Sequence, residues 1–310
     1  MVKLVDESAE IYSLQKIDDI CVHIERCGRT CYKSENLITM DTAIPFITGI
    51  LKSGHESVIE HANVIFSMPI TENNRKILEM RDIRGLNVSI EKDSLDNVDK
   101  IIVSGNMRSF RDIARQYDIH DFLLLIGIPL FYIKENAQNC FTGLKIESVQ
   151  QSRFSEMHNY LTTHLVCDVG AYKDITRHRI ASFSIESTRF CNYSKGKFGS
   201  ELTMINPCNI EQNSPMYQEW LNAMDSIEQS YMKMAELGAK SDQLRMLLPH
   251  STKADVIMTA NLTEWRHIFS LRCHTAAHPS VRLVMHKVLA ECYAIWPEFL
   301  ADQYQEFIAA

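Results

Sequence analysis

Apolar residues recur at helical spacing in several stretches of the chain and alternate in others. Between Asp41 and Lys52, the positions of Ile44, Ile47, Ile50 and Leu51 predict a helix capped by Asp41 and stopped by Gly54. In ANVIFSM, Val64, Phe66 and Met68 alternate with Ile65 and Ser67, a strand pattern. Thr71 to Met80 reads as a helix with Thr71 as its cap. Arg81 to Lys100 is charged and aperiodic, predicting a loop or hairpin, followed by a short strand over Ile101 to Val103 and a helix over Arg108 to Tyr117. Phe122 to Ile133, interrupted by Pro129, is the longest apolar run; it is far short of the ~20 residues a membrane span needs and reads as buried core. Asn139 to Arg153 is polar and aperiodic, a linker pattern.

The second half is more regular. His158 to Val169 reads as a strand ending at Gly170, and Tyr172 to Arg179 as a short helix entering the loop RIASFSIESTRF. Ser214-Pro215 pairs a capping residue with proline at the first helical position, starting a helix that Gly238 stops. Lys253 to Arg272 and Val281 to Ile295 predict two further helices, the second interrupted by Trp296-Pro297. No repeat is visible. Strands and helices mix without a βαβ rhythm, so the expected class is α+β. The expected organisation is one domain over 1–310, with an inserted or elaborated region at about 81–153.

Composition narrows the function. The chain has 310 residues, 45% hydrophobic and 23% charged, which excludes collagen-like and largely disordered classes. Thirty-two basic residues stand against 39 acidic ones, a net charge of −7, so the broad basic field of a duplex-nucleic-acid binder is missing. Nine cysteines without a CxxC pair read as reduced thiols. Met1 to Asp18 lacks the apolar stretch of a secretory signal. These features predict a cytoplasmic protein with no membrane and no nucleic-acid partner.

The most informative stretch is Arg177-His178-Arg179, followed after seven residues by Ser187-Thr188-Arg189. Guanidinium forks bind phosphate bidentately, and hydroxyls donate to the remaining oxygens. A bare basic triplet is usually a solvated turn; its combination with the spaced Ser-x-Arg is rarer. That combination resembles the signature of flavin-dependent thymidylate synthases. GHESVIEH at Gly54 to His61, LRMLLP at Leu244 to Pro249, and LTEWRHIFSLR with AAHPSVR over Leu262 to Arg282 resemble three further segments of the same family.

The resemblance implies the family's fold, a mixed sheet flanked by helices with no dinucleotide-binding Rossmann domain. It implies FAD as cofactor, NADPH and methylenetetrahydrofolate as co-substrates, dUMP as substrate, and a homotetramer with shared active sites. The reaction implied is reductive methylation of dUMP to dTMP. It places His55, Ser57, Glu60, Arg177, His178, Arg179, Asn261 and His267 on the flavin side. Asp174, Arg177, Glu186, Ser187, Thr188, Arg189 and Arg245 fall on the nucleotide side. Arg272 matches the arginine that contacts the uracil ring, where a fixed guanidinium stabilises the negative charge that carbon 5 needs in order to attack.

Ile185 stands where family members often have Gln or Glu, and Thr263 where Arg is usual; Asp174 replaces Glu or Gln. These departures leave room for hydroxymethylation of a related pyrimidine nucleotide, and a non-catalytic flavin- or nucleotide-binding relative is the rival of a different class. Cys191 and Cys273 lie near the motifs but read as structural. His274, His278 and His286 carry no HExxH pattern, so no metal is expected. Arg108 and Arg111 read as surface or interface residues without chemistry.

Overall fold

The computed structural model describes residues 1–12, 20–39, 41–80, 83–117, 145–147 and 153–309. The apolar run over 122–133 and most of the polar stretch over 139–153 lie outside them. No helix among the described residues is long and apolar enough to cross a membrane.

The chain is α+β, as expected, with ten strands and eight helices of seven or more residues among the described residues. The strands are β1 (Lys3–Val5), β2 (Ser8–Tyr12), β3 (Asn63–Pro69), β4 (Leu86–Lys92), β5 (Asp99–Asn106), β6 (Lys145–Glu147), β7 (Tyr160–Asp168), β8 (Ser182–Ile185), β9 (Thr203–Ile205) and β10 (Lys253–Asn261). The helices are α1 (Ile20–Thr30), α2 (Ala43–Lys52), α3 (Met107–Tyr117), α4 (Val169–Ile175), α5 (Pro215–Glu236), α6 (Leu262–Arg272), α7 (Pro279–Ile295) and α8 (Pro297–Phe307).

Two antiparallel sheets, in the orders β2-β7-β10-β8 and β4-β5-β3-β6, each carry their own apolar core. Parallel pairing among the described strands is confined to β1 and β9. These two strands pack with α5 in a third, smaller cluster around Met204, Met224 and Tyr231. Helix α7 turns Val284, Met285, Val288 and Leu289 onto the core of the first sheet.

Several expectations change. Lys253 to Asn261, expected as helix, is the central strand β10; only Leu262 to Arg272 is helical. Lys253, Asp255, Thr259 and Asn261 alternate with Ala254, Val256, Met258 and Ala260, a strand period that Ile257 interrupts and the helical reading passed over. The loop after Arg179 contains β8. Helix α2 begins at Ala43 with Thr42, not Asp41, at the cap position. Residues 74–80 form a 3₁₀ segment, although the Thr71 hydroxyl does accept from the Asn74 amide at 3.1 Å. The stretch expected as an insertion supplies β4, β5, β6 and α3, three of the four strands of one sheet.

The chain is also internally repeated, against expectation. Registers in the two sheets correspond residue by residue. Asn63 faces Asn106 across β3 and β5, as Tyr160 faces Asn261 across β7 and β10. Ser89 faces Ile102 across β4 and β5, as Ser184 faces Ile257 across β8 and β10. A 3₁₀ segment ending in a buried histidine precedes β3 (Glu56–His61) and β7 (Glu156–His158). Each helix that follows is capped by an asparagine: Asn106 Oδ1 accepts from Ser109 N at 3.0 Å, and Asn261 Oδ1 from Glu264 N at 2.9 Å.

The copies exchange parts. β2, ahead of the first copy, pairs with β7 of the second, while β6, ahead of the second copy, pairs with β3 of the first. His61 of the first copy reaches Thr259 at 2.8 Å and Ser184 at 3.0 Å in the second. His158 of the second copy reaches the matching Ser104 at 2.7 Å and Ser89 at 2.8 Å in the first. This reciprocity is that of an isologous, twofold-like interface drawn into a single chain.

Candidate functional site

The Arg-His-Arg turn is set by a short capped helix. The Asp168 carboxylate accepts from the Ala171 amide at 2.7 Å, starting α4 at the end of β7, and the chain leaves the helix at Thr176 and turns over Arg177 to Arg179 into β8. His178 is buried beneath this turn, while Arg177 and Arg179 are exposed on either side. Arg272, in the last turn of α6, donates from Nε to His178 Nε2 at 3.0 Å and from Nη2 to the Asp174 carbonyl at 2.9 Å. Arginine does not give up its proton, so Nε2 must be the acceptor and, in the neutral ring, Nδ1 carries the hydrogen. Nδ1 lies 3.4 Å from Glu264 Oε1. The exposed His267 meets the His178 ring edge-on, with centroids 5.8 Å apart. Asp174, His178, His267 and Arg272 are thus brought together.

Two cavities flank the turn. The larger, of about 600 Å³, has Asp174, Arg177, Lys173 and His250 among its lining residues. On its wall Ser280 Oγ lies 3.0 Å from Glu7 Oε1 and 2.5 Å from Asp168 Oδ2, and Lys173 Nζ lies 2.9 Å from His250 Nε2. The smaller, of about 190 Å³, lies in the seam between the two copies, with Glu60, Arg84, Arg108 and Asp112 from the first and Arg179 and Ser182 from the second. Arg108 Nη1 pairs with Glu60 Oε1 at 2.6 Å, and Ser182 Oγ donates to Glu60 Oε2 at 3.2 Å. An adjoining cavity of about 100 Å³ includes Asn261, whose Nδ2 donates to the Met157 carbonyl at 3.3 Å. Sequence reasoning missed Arg84 and set Arg108 aside. The available signal was the asparagine-capped GNMRSF segment, which matches the ANLTEW segment of the second copy.

Ser187 to Arg189 line neither of the two larger cavities. The Ser187 amide donates to the Cys31 carbonyl at 3.0 Å, Thr188 is half-buried, and the exposed Arg189 guanidinium lies 5.6 Å from the Phe190 ring centre. Glu186 is 4% exposed, and its oxygens are engaged within the fold. Tyr193 donates to it at 2.6 Å, Lys33 and Lys253 each approach to 3.2 Å, and the Asp255 amide donates at 3.3 Å. Burial, followed by the Glu186 charge, raises the Tyr193 phenol far above its ordinary range. Ile185 packs against the core of the sheet β2-β7-β10-β8, so its side chain suits its surroundings. Arg245 is exposed in the 3₁₀ segment Arg245–Leu247, near enough to α4 for its charge to act on the Tyr172 phenol. His55 and Ser57 are exposed at the start of the Glu56–His61 segment.

The thiols are inert by environment. Cys191 and Cys273 are buried, and burial pushes each up to about 12. His278 Nδ1 accepts from the Ser280 amide at the start of α7, His274 Nδ1 from the Ala276 amide, and His286 Nε2 lies 3.0 Å from the Cys273 carbonyl. Among the described residues no group of three His, Cys, Asp or Glu side chains is placed to hold a metal.

Residues 147–298 match the family model described as thymidylate synthase complementing protein. The flavin-dependent thymidylate synthase of Pyrococcus abyssi is 30% identical over 117 residues, which is 38% of this chain and 47% of the relative. That of Geobacter sulfurreducens is 26% identical over 132 residues, 43% of this chain and 55% of the relative. The chain thus spans about half the length of the curated relatives it matches. A UMP/dUMP methylase, PolB from Streptomyces cacaoi, solved with 5-Br dUMP, aligns over 99% of this chain and 98% of its own at 13% identity and a TM-score of 0.43. Thymidylate synthase X from Helicobacter pylori, solved with FAD and dUMP, covers 48% of this chain and 74% of its own at 17% identity and a TM-score of 0.40. Superpositions this loose do not bear on the chemistry of the chain.

Proposed function

We propose, on the match of residues 147–298 to the model of the thymidylate synthase complementing protein family, that the chain methylates dUMP reductively to dTMP, with FAD as cofactor and methylenetetrahydrofolate and NADPH as co-substrates. The observation that carries this reading is the 3.0 Å bond from Arg272 to His178, which joins two motifs far apart in sequence into one cationic centre.

The donor set suits a phosphate-rich cofactor and nucleotide. Arg177 and Arg179 have no carboxylate partner among the described residues, and hydroxyls stand at Ser57, Ser182, Ser187 and Thr188. Arg177, Arg179 and His267 would hold a flavin, with Asn261 and Glu60 beside them. Bound there, a flavin would supply redox chemistry, relaying hydride from NADPH to the pyrimidine. Arg189 and Arg245, with Ser187 and Thr188, would hold the nucleotide phosphate by charge-assisted hydrogen bonds. Two of the Arg272 nitrogens are fixed by His178 and the Asp174 carbonyl, so its remaining donors are oriented before substrate arrives. A guanidinium held in that way stabilises negative charge on a pyrimidine ring without reorganising. Glu186 acts in this reading by holding Lys33 and Lys253, and so the base of the phosphate loop, rather than by touching nucleotide.

The test is an anaerobic reaction of the purified chain with dUMP, methylenetetrahydrofolate, FAD and NADPH, with the nucleotide product read by mass. A product heavier than dUMP by one CH2, a methyl group in place of a hydrogen, is expected. A hydroxymethyl product, or turnover of dCMP alone, would replace the substrate or the reaction. A colourless protein that takes up no FAD and forms no product would overturn the reading. The homotetramer implied by resemblance counts single-copy subunits. With two copies of the module in each chain, we expect a homodimer to supply the same four modules, and light scattering gives the mass that decides.

A further inference from the structure

We propose that Glu91, Ser89, His158, Ser104 and Tyr160 form a proton relay joining the solvent to the cavity of about 100 Å³ that contains Asn261 and Glu60. The inference rests on the function proposed above, which sets those two residues beside a flavin, and it adds a task for the first copy. That reaction takes up one proton per turnover: dUMP, methylenetetrahydrofolate, NADPH and a proton become dTMP, tetrahydrofolate and NADP+. NADPH gives up a hydride and water gives a proton, and together they reduce the flavin.

The five side chains stand in hydrogen-bonding sequence. The half-buried Glu91 is held at the surface by the Ser155 amide and hydroxyl, at 2.8 and 2.6 Å. Ser89 Oγ donates to Glu91 Oε1 at 2.7 Å and lies 2.8 Å from His158 Nε2. Across the buried ring, Nδ1 lies 2.7 Å from Ser104 Oγ, which is 3.3 Å from the Tyr160 hydroxyl. Tyr160 lines the cavity, and its oxygen accepts from Asn87 Nδ2 at 2.6 Å.

Counting hydrogens gives the row a direction. Ser89 directs its one hydrogen to Glu91, so Nε2 donates to Ser89, Nδ1 accepts from Ser104, and Ser104 accepts from Tyr160. Every hydrogen points outward. This is the state left behind once a proton has passed inward, from Glu91 through Ser89 to Nε2, and from Nδ1 through Ser104 and Tyr160 to the cavity. Rotation of the hydroxyls and exchange of the ring tautomer reset it. Burial pushes the Tyr160 phenol up to about 12, so it passes the proton on without standing as an anion.

The matching row in the other copy is closed. His61 meets the same cavity through Thr259, but Ser184, Thr162 and His23 around it are all buried. Glu186, two residues after Ser184 as Glu91 is after Ser89, is held by Tyr193, Lys33 and Lys253 instead.

Two variants test the relay: Tyr160→Phe, which removes one hydroxyl, and Glu91→Gln, which keeps the side-chain shape. In stopped-flow with a pH indicator, each should slow flavin bleaching by NADPH, and the proton uptake that accompanies it, by about tenfold or more. FAD affinity should stay within about twofold of the parent, and added formate should restore part of the rate to Glu91→Gln. A second readout needs neither cofactor nor substrate. By nitrogen NMR of histidine-labelled protein, the His158 ring N–H should exchange with water about tenfold faster than that of His61, and Glu91→Gln should abolish the difference. Parent-like proton uptake in both variants would overturn the relay and leave the proposed function standing, as would equal exchange at the two histidines. A parent that takes up no FAD while His158 still exchanges faster than His61 would remove the functional reading and keep the relay.

Discussion

His61 and His158 stand at matching places in the two copies, and both are fully buried. His61 has two hydroxyls for partners, and the buried His23 acts on it electrostatically. Burial, with help from His23, pushes its pKa down to about 3. His158 also has two hydroxyls, but Glu91 lies 3.4 Å from its Nε2. Burial alone would raise Glu91; hydrogen bonds from His158, Ser155 and Ser89 outweigh it and bring it to about 2. The same frame therefore holds one histidine in neutral company and the other beside a carboxylate. The side chains of the proposed site are divided just as unevenly. Glu60, His178 and Arg272 have Met157, Ile83 and Tyr117 at the matching places of the other copy. A repeat preserves bonds that hold the sheets together, while the side chains of the proposed site differ between the copies.

Separating the copies should have the largest effect. A chain ending at Tyr117 loses the partners of β2 and of His61, and we expect no cooperative thermal transition by calorimetry. A sharp, reversible melt would show that the first copy folds alone. Next, Arg272→Lys should retain FAD and dUMP and lose methylation rate by ~10²–10³, because an ammonium cannot bond His178 and the Asp174 carbonyl while still facing a ring. Single-turnover kinetics at saturating dUMP would settle it, and a variant within a few-fold of the parent would reduce Arg272 to a tether.

Acid should act mainly through His61 and its neighbour His23, which burial holds near pKa 4. Both folded values lie below the ordinary histidine range, so the unfolded chain takes up protons first. Their contribution is full above about pH 6.5 and is lost as pH falls from there towards 4 and 3, by at most about 1.4 kcal/mol per pH unit for each ring. Denaturant titrations of His61→Asn across that window should show a shallower slope than the parent; an unchanged slope would place the acid sensitivity elsewhere. The smallest effect is expected for Cys191→Ala. Its thiol is buried and pushed up to about 12, so removal should cost about 1 kcal/mol or less of stability and leave turnover intact. A loss of rate beyond a few-fold would return Cys191 to the chemistry.

Elements with local signals were legible in the sequence. Ser214 caps α5 through the Tyr217 amide, and Gly238 ends it with φ near +92°, as the dipeptides at each end implied. Strand β3 was legible from its residues, whereas in β10 the alternation of Ala254, Val256, Met258 and Ala260 with polar neighbours is broken by Ile257 and runs straight into the helix at Leu262, so the two were read as one helix. The repeat was hidden because matching positions keep a role more often than an identity: Ser104 answers Thr259, Met107 answers Leu262, and Ser109 answers Glu264. The motif around Arg177 to Arg189 was visible because its side chains sit close together along the chain. The seam was not, because Arg84 acquires meaning only when Arg179 is folded against it.

The exchanged edge strands also impose an order on synthesis. β2 leaves the ribosome near the start of the chain and has no sheet to join until β7 is made, long after β3, β4 and β5 are complete. The β4-β5-β3 sheet in turn closes its edge only when β6 arrives. Pairings this distant require closing long loops before any contact rewards them, so they form slowly. The nascent first copy therefore waits with an open sheet edge and an unpartnered His61, and this is the period in which the protein is most exposed to misassembly with another chain of its own kind.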